Sequence, residues 1–405
     1  MRRQDVRVVV VGLAIVALVA VCGVCAWVTG PAIRVGVTGA PSGGSWARVF
    51  VLSLGLAFSA YLGGLALLRR RPVSIRLVAA IAVAIQLGLL GAPLLVSTDA
   101  WSYWDYARIA AVHGANPYSV PPAAFPGDPA YTHMAGAWHR TTSVYGPAFT
   151  LASEPVALVA RSSATAAAWT FKALGAAAVL AATALASLLA RRKAYAVAFV
   201  GCNPLLAVDF AGGGHNDALM AALILAALAF AATGRRHLSA VAWAVASFVK
   251  WVPLLLLPLH LLEQRAKGRS VSYLTLSASL FGAAAVASIA FGPYWFRAAT
   301  PLAHLVREGS HSAIPQRLSF GLPNGIALAA AAATMTAAYV WLLHSAARGR
   351  ARLGLAAGLL LIASPYLVSW YTIWAVPLAA AEEDGAAQLL SLGLCAYLLK
   401  QGIRT

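Results

Sequence analysis

The chain has 405 residues, of which 61% are hydrophobic and 10% charged, and its mean hydropathy is +0.77. Soluble domains carry about a quarter charged residues, so a soluble enzyme is excluded; spanning segments must be helical, because backbone groups in a bilayer find no water to bond. The net charge of +18 would suit nucleic acid, but eighteen of the thirty Lys and Arg sit in six short clusters between apolar runs. These clusters are Arg2, Arg3, Arg7; Arg69, Arg70, Arg71, Arg76; Arg191, Arg192, Lys193; Arg235, Arg236; Arg265, Lys267, Arg269; and Arg348, Arg350, Arg352. That is how a membrane protein keeps its cytoplasmic loops inside. The expected partners of the charge are anionic lipid headgroups, and no nucleic acid is expected.

Residues 8–28 follow a basic start, as in a signal peptide, but the run is too long for an h-region and predicts an uncleaved first span. Residues 49–68 form a second span, and Arg69 to Arg71 mark an inside loop. A third span over 75–96 leads outward into the longest polar stretch, an outer loop of about 97–146. Pro117, Pro121, Pro122, Pro126 and Pro129 keep that loop from being one helix. It contains a helical piece at 100–113 that reads as amphipathic, with Trp101, Tyr103, Trp104 and Tyr106 suited to the headgroup layer.

The next apolar piece, 147–160, contains Glu154 and is short, so it is predicted to lie half-buried on the outer side. Residues 164–189 cross inward, 195–208 outward, and 218–232 inward to Arg235. Basic residues flank 241–262 on both sides, which requires an even number of passes. Lys250-Trp251-Val252-Pro253 then becomes the apex of a short or re-entrant hairpin. Residues 271–291 go out to a second outer loop, about 292–322, with His304, Arg307, Glu308, His311 and Arg317. Residues 325–343 return. Residues 353–381 repeat the hairpin logic around Ser364 and Thr372, with Glu382, Glu383 and Asp384 inside, and 388–399 end the chain. The expectation is an all-α polytopic transmembrane bundle of about 12–14 passes, counting short and re-entrant ones, in one integral-membrane domain over 1–405. Cys22, Cys25, Cys202 and Cys395 lie in or beside apolar runs and read as small buried residues.

This topology gathers the polar residues that are hardest to explain on one side: Asp99, Asp105, Asp209, His215, Asn216, Asp217, Lys250, Arg307 and His311. Charges near hydrocarbon mark a pathway or a site. Asp99 is either a solvated carboxylate at a helix end or a general base for an acceptor hydroxyl. Asp105, six residues on, falls off the Asp99 face. Three glycines, 212–214, let backbone approach a ligand, and His215, Asn216 and Asp217 then offer polar groups at a helix start. Asp217 alternatively caps that helix. A His-x-Asp metal pair has too few ligands, and no cofactor is expected, although a divalent metal is not excluded. Lys250 either snorkels or contacts a phosphate. Tyr366, Trp370, Tyr371 and Trp374 form either an interfacial aromatic belt or a platform for a sugar ring.

Four segments together resemble the integral-membrane glycosyltransferases of the GT-C superfamily. They are STDAWSY with GANPYSVPP downstream; Val144-Tyr145-Gly146-Pro147; Asn203-Pro204-Leu205 with GGGHNDALM; and Ser369-Trp370-Tyr371-x-x-Trp374. The match is most similar to the polyprenol-phosphate-mannose-dependent α-(1→6)-mannosyltransferases of actinobacterial lipomannan synthesis. That resemblance implies Asp99 as general base on the first outer loop, a polyprenyl-phosphate-sugar donor with a β-mannosyl group, a lipid-linked glycan acceptor, and inversion to an α-mannoside. It implies donor or substrate contacts at Tyr103, Tyr145, His215, Asn216, Asp217, Lys250, Trp370 and Tyr371, on the extracytoplasmic face of the plasma membrane. The WDYAR segment departs from the family pattern, so Asp105 is not carried over. Two rival readings stand. One keeps the fold with an arabinofuranose or glucose donor; the other is a lipid-linked sugar transporter or flippase, which would predict inverted repeats that the sequence does not display.

Overall fold

The structure, a computed structural model, describes residues 3–29, 44–70, 73–300, 309–319, 321, 323–399 and 401. Among these residues there are helices, turns and irregular segments but no strand. The fold is a polytopic helical membrane protein. Among the described residues five helices are long and apolar enough to cross a bilayer unaided: α1 (Arg3–Thr29), α2 (Ser45–Arg70), α6 (Ala164–Leu189), the segment Tyr273–Ala298 that begins with α12 (Tyr273–Phe291), and α13 (Asn324–Ala347). A sixth crossing is a bent pair, α7 (Lys193–Gly201) with α8 (Pro204–Gly212), turned by 45° at Cys202-Asn203. The short helices α3 (Ile75–Leu87), α5 (Pro147–Ala160), α9 (Asp217–Ala232), α10 (Arg236–Val249), α11 (Pro253–Ala266), α14 (Leu353–Ala363), α15 (Val376–Glu382) and α16 (Gly385–Leu398) fill the bundle. One apolar core runs continuously from Val8 in α1 to Leu398 in α16.

The hairpin breaks fall where expected, at Lys250–Val252 and again at residues 364–375, where a 3-10 turn, Ser369–Trp374, joins α14 to α15. Pro204 and Pro253 occupy first-turn positions, where the missing N–H costs nothing. The third span is shorter than the apolar run suggests. α3 stops at Leu87, and Gly88 to Pro93 turn instead of continuing. The carbonyls of Leu90 and Ala92, freed by that break, both accept from Nζ of Lys172 on α6, whose side chain is buried. Irregular backbone at membrane depth is tolerated when protein satisfies it in this way. In the irregular segment that follows, Leu95 N–H donates to Gly212 O at 3.0 Å.

The described members of all six basic clusters gather at one end of the bundle. Arg69 bonds Tyr195 at the start of α7 and Gln388 at the start of α16. A cavity of about 560 Å³ is lined jointly by Arg191, Lys267, Arg269, Arg350 and Arg352. Arg236 lies beside it at the start of α10, and the start of α1 packs on the end of α2. Arg2 and Arg71 lie outside the described residues. The acids of that end are paired: Asp384 with Arg352 at 2.6 Å, Glu263 with Lys267 at 2.8 Å, and Glu382 with the first N–H groups of α14.

One expectation about the outer loop fails. The helix α4 (Asp99–Ala111) is not amphipathic and is not a surface anchor: every residue from Ala100 to Ile109 is buried. Trp104 is 0% exposed, Tyr106 1% and Tyr103 2%. Its apolar positions cover all faces, and a helix hydrophobic all round belongs inside. The loop that follows, residues 112–146, wraps over α4. It is held by Asp128, which takes Arg108 Nε at 2.8 Å and faces His113 Nε2 at 2.7 Å. Burial alone would raise the Asp128 carboxyl, but the hydrogen bonds from Arg108, Ala130 N–H and His113 outweigh it and leave it below the usual carboxylate range.

Candidate active site

At the end opposite the basic clusters, a cavity of about 200 Å³ opens between the start of α4, the start of α9 and the two hairpin breaks. Asp99, Tyr103, Tyr145, Asn216, Asp217, Lys250, Trp370 and Tyr371 all line it. These are eight of the nine residues that the resemblance implied as base or contacts. The ninth, His215, is 1% exposed and lies behind Asp99, its Nδ1 3.4 Å from Asp99 Oδ2. That separation suits a charge contact, but neither ring nitrogen makes an aligned hydrogen bond.

Local backbone explains the assembly. Val96 adopts φ 54, a region a β-branched residue rarely enters, and this sharp turn reverses the chain three residues before Asp99. Ser97 Oγ then accepts from Asp99 N–H at 3.1 Å and seats the first turn of α4. Gly214 at φ +70 lets the chain pass close to the backbone of Phe171 and Lys172, turning His215 and Asn216 toward α4. Gly146 lies so close to the carbonyls of Phe248 and Val249 that a Cβ there would overlap them, and this brings Tyr145 against the end of α10.

The far wall is an ion pair caged by aromatic rings. Asp217 Oδ1 accepts from Lys250 Nζ at 2.5 Å and from Trp374 Nε1 at 2.6 Å. The ammonium lies 4.5 Å from the Tyr371 ring centroid and 5.1 Å from that of Trp374, within cation–π range. Two sequence alternatives are thereby resolved. Asp217 does not cap α9, which has no side-chain cap, and Lys250 pairs instead of snorkelling. The belt reading of the Ser369–Trp374 aromatics fails as well. Trp370 and Trp374 are 9% and 7% exposed, and Tyr366 and Tyr371 are partly buried, all facing protein. Trp370 stacks on His215, centroids 3.8 Å apart at 11°, so one of its faces is already covered.

Tyr103 Oη sits 3.4 Å from both Oδ1 and N of Asn216, and its ring meets Tyr145 edge-on at 4.7 Å. Burial, and the nearby charges of Asp99 and Asp217, hold the Tyr103 phenol well above its usual range, so it is a hydrogen-bond donor and not a phenolate. Asp105 points away from the cavity and is buried without a partner for Oδ2. His311 is exposed and lines no part of the cavity, while Arg307 lies outside the described residues. Among the described residues no three His, Cys, Asp or Glu side chains gather to hold a metal ion.

Sequence reasoning missed Trp138 and Trp251 as site residues, and both complete the lining. Tyr366, which also lines the cavity, and Trp374, which braces Asp217, belong to the aromatic group offered as a sugar platform. Asp209, 0% exposed, accepts from Ser369 Oγ at 2.8 Å and ties α8 to the second hairpin break. The signal for Asp209 was its charge inside an apolar run; nothing local pointed to Ser369 as its partner.

Residues 6–263 match the family model described as alpha-(1->6)-mannopyranosyltransferase, N-terminal domain. The chain is 31% identical over 189 residues to alpha-(1->6)-mannopyranosyltransferase A of Mycobacterium tuberculosis (strain ATCC 25618 / H37Rv), covering 43% of this chain and 36% of that protein. It is 34% identical over 155 residues to a probable alpha-(1->6)-mannopyranosyltransferase of Mycolicibacterium smegmatis (strain ATCC 700084 / mc(2)155), covering 36% and 27%. The matched regions thus span about a third of the length of these relatives. No solved structure matches the chain. A family match over residues 6–263 takes in α1 to α11 and both edges of the cavity at Asp99 and Lys250, and the chain belongs to the alpha-(1->6)-mannopyranosyltransferase family.

Proposed function

We propose that the chain is a membrane glycosyltransferase. In this reading it moves mannose from a polyprenyl-phosphate-mannose donor to a lipid-linked glycan, with inversion, on the extracytoplasmic face of the plasma membrane. The observation that carries this is the meeting of one partly exposed carboxylate, Asp99, with a Lys250–Asp217 pair and an aromatic wall inside one cavity. Asp99 takes the proton of the acceptor hydroxyl as its oxygen attacks C1 of the mannosyl group. The C1–O bond to phosphate breaks on the opposite face, and its electron pair leaves on the polyprenyl phosphate. A phosphate leaves without protonation, so one carboxylate suffices, unlike the carboxylate pair of glycosidases. Lys250 has ammonium protons beyond the one given to Asp217, and with the Asn216 amide and the Tyr103 hydroxyl it meets the departing charge. His215, stacked on Trp370 with its Nδ1 3.4 Å from Asp99 Oδ2, backs the carboxylate and limits its movement. The outward assignment of the cavity rests on the clustering of the basic residues at the other end, which the positive-inside rule assigns to the cytoplasm.

The test is sugar transfer in membranes supplied with polyprenyl-phosphate-mannose. Asp99→Asn and Asp99→Ala should lower turnover about 10²–10⁴-fold, the usual worth of a general base. Wild-type turnover in both variants would remove Asp99 from the mechanism. A donor panel carrying mannose, glucose or arabinofuranose fixes the sugar.

A further inference from the structure

The helix α10 carries the candidate active site at its C-terminal end and a second cavity at its N-terminal end. At 14 residues it separates the two by about 20 Å. The second cavity, about 240 Å³, lies between the start of α10, the C-terminal half of α11 and the start of α12. Its floor is polar and incomplete. His260 and Trp243, 3% and 1% exposed, line it with Nδ1 and Nε1 buried and without hydrogen-bond partners. Ser239 and Gln264 are buried beside them. Buried polar atoms left unpaired are costly, so a polar ligand reaching this floor is favoured.

The mouth is cationic. Arg236 and Arg269 are exposed at its rim, and neither guanidinium is hydrogen-bonded or ion-paired among the described residues. The first turns of α10 and α12, neither with a side-chain cap, open onto the same rim, and the positive end of a helix favours an anion. The two helix starts are clamped together by His237, whose Nδ1 lies 2.7 Å from Thr275 Oγ1 and 3.2 Å from Ser272 Oγ. The nearest carboxylate, Glu263, is already engaged by Lys267 and by Ala351 N–H.

We propose that this cavity holds the phosphate-bearing headgroup of an anionic membrane lipid. Its unpaired polar floor and cationic rim suit a headgroup and not an acyl chain. The chains have a surface outside it: Leu238, Val241 and Val245 form an exposed stripe on α10, and Leu274 beside the mouth is 83% exposed. A free phosphate compound would use the arginines and helix starts but would gain nothing from that apolar surface.

The experiment is native mass spectrometry of the full chain in detergent, titrated with phosphatidylglycerol, with phosphatidylcholine, and with inorganic phosphate competing. Two variants are compared, Arg236→Gln with Arg269→Gln, and Ala232→Trp. Ala232 lines the cavity from an exposed position, so the larger ring fills the mouth without entering the core. Phosphatidylglycerol should be retained in preference to phosphatidylcholine. Both variants should weaken that retention roughly tenfold or more, the scale expected for two arginines at an anionic surface. Equal retention in wild type and variants would mean annular lipid alone and would overturn the proposal. So would full displacement by inorganic phosphate with no preference between the two lipids, which would mark a site for soluble phosphate compounds.

Discussion

Asp217 is 1% exposed at its side chain, and its charge is tolerated because Lys250 and Trp374 both donate to one oxygen. Removing one partner of a buried pair leaves the other uncompensated and costs about 3–5 kcal/mol. Lys250 is 23% exposed, which places Lys250→Met at the lower end of that range. Trp374→Phe, which deletes one charge-assisted hydrogen bond, should cost about 1.5–3 kcal/mol. Because both donors share one acceptor, the double variant should fall short of the sum, and thermal unfolding midpoints of the four species check this. Asp105 makes a different prediction, about pH. Burial pushes its carboxyl up to about 7, the Asp128 charge adding to the rise and Arg108 opposing it. The folded chain therefore keeps a proton that the unfolded chain has released above the ordinary carboxylate range. That contribution to stability is complete near pH 4 and is lost as pH rises through 7. Asp105→Asn keeps the uncharged shape, so its advantage over wild type should grow from pH 5 to pH 8. An advantage that is flat or shrinks over that interval would show that Asp105 is ionised throughout.

The breaks between helices build the cavity, and glycines at two of them should be irreplaceable. Gly214→Ala meets both a positive φ and the backbone of Phe171 and Lys172, so it should cost about 1–3 kcal/mol. Gly146→Ala has an ordinary φ but no room, and relief requires shifting Tyr145 away from the end of α10. Both should lower transfer, measured at saturating donor, by more than their loss of folded protein explains. The breaks were largely legible in the sequence. Pro204, Pro253 and the Ser364-Pro365 step interrupt apolar runs, and a charge or turn residue stands at each. The end of α3 at Leu87 was not legible, because its freed carbonyls are satisfied by Lys172, 80 residues or more downstream. The orientation of α4 was misread for a local reason. Trp101, Tyr103, Trp104 and Tyr106 suit a headgroup layer by type, but they are spread around the helix and pack against protein on all sides. The candidate site residues were legible as types in unusual places. Their pairings, such as Asp217 with Lys250 and Asp209 with Ser369, join segments 33 and 160 residues apart and belong to packing.

At the scale of the whole molecule, two chemistries are separated by the length of a helix. α9 and α10 both run from one cavity to the other: Asp217 and Lys250 are at the candidate active site, while Ala232 and Arg236 line the second cavity. All described basic clusters share the second end, and the aromatic-lined cavity with the partly exposed Asp99 carboxylate occupies the first. A transporter would need charges along the path between them. Instead, the intervening stretch of α10 is Val241 to Phe248, without a charge, and that of α9 is Ala218 to Ala231. The asymmetry makes a topological prediction that is independent of catalysis. The four native cysteines are all buried, so background labelling is low. A cysteine placed at the exposed Ala137, in the loop over α4, should react with a membrane-impermeant maleimide in intact cells. One at the exposed Thr233, between α9 and α10, should react only after the membrane is opened. If Thr233→Cys labels in intact cells and Ala137→Cys does not, the chain is inverted and the candidate active site faces the cytoplasm. If both label, residues 233 and 137 share a side, and α9 and α10 do not run from one face of the membrane to the other.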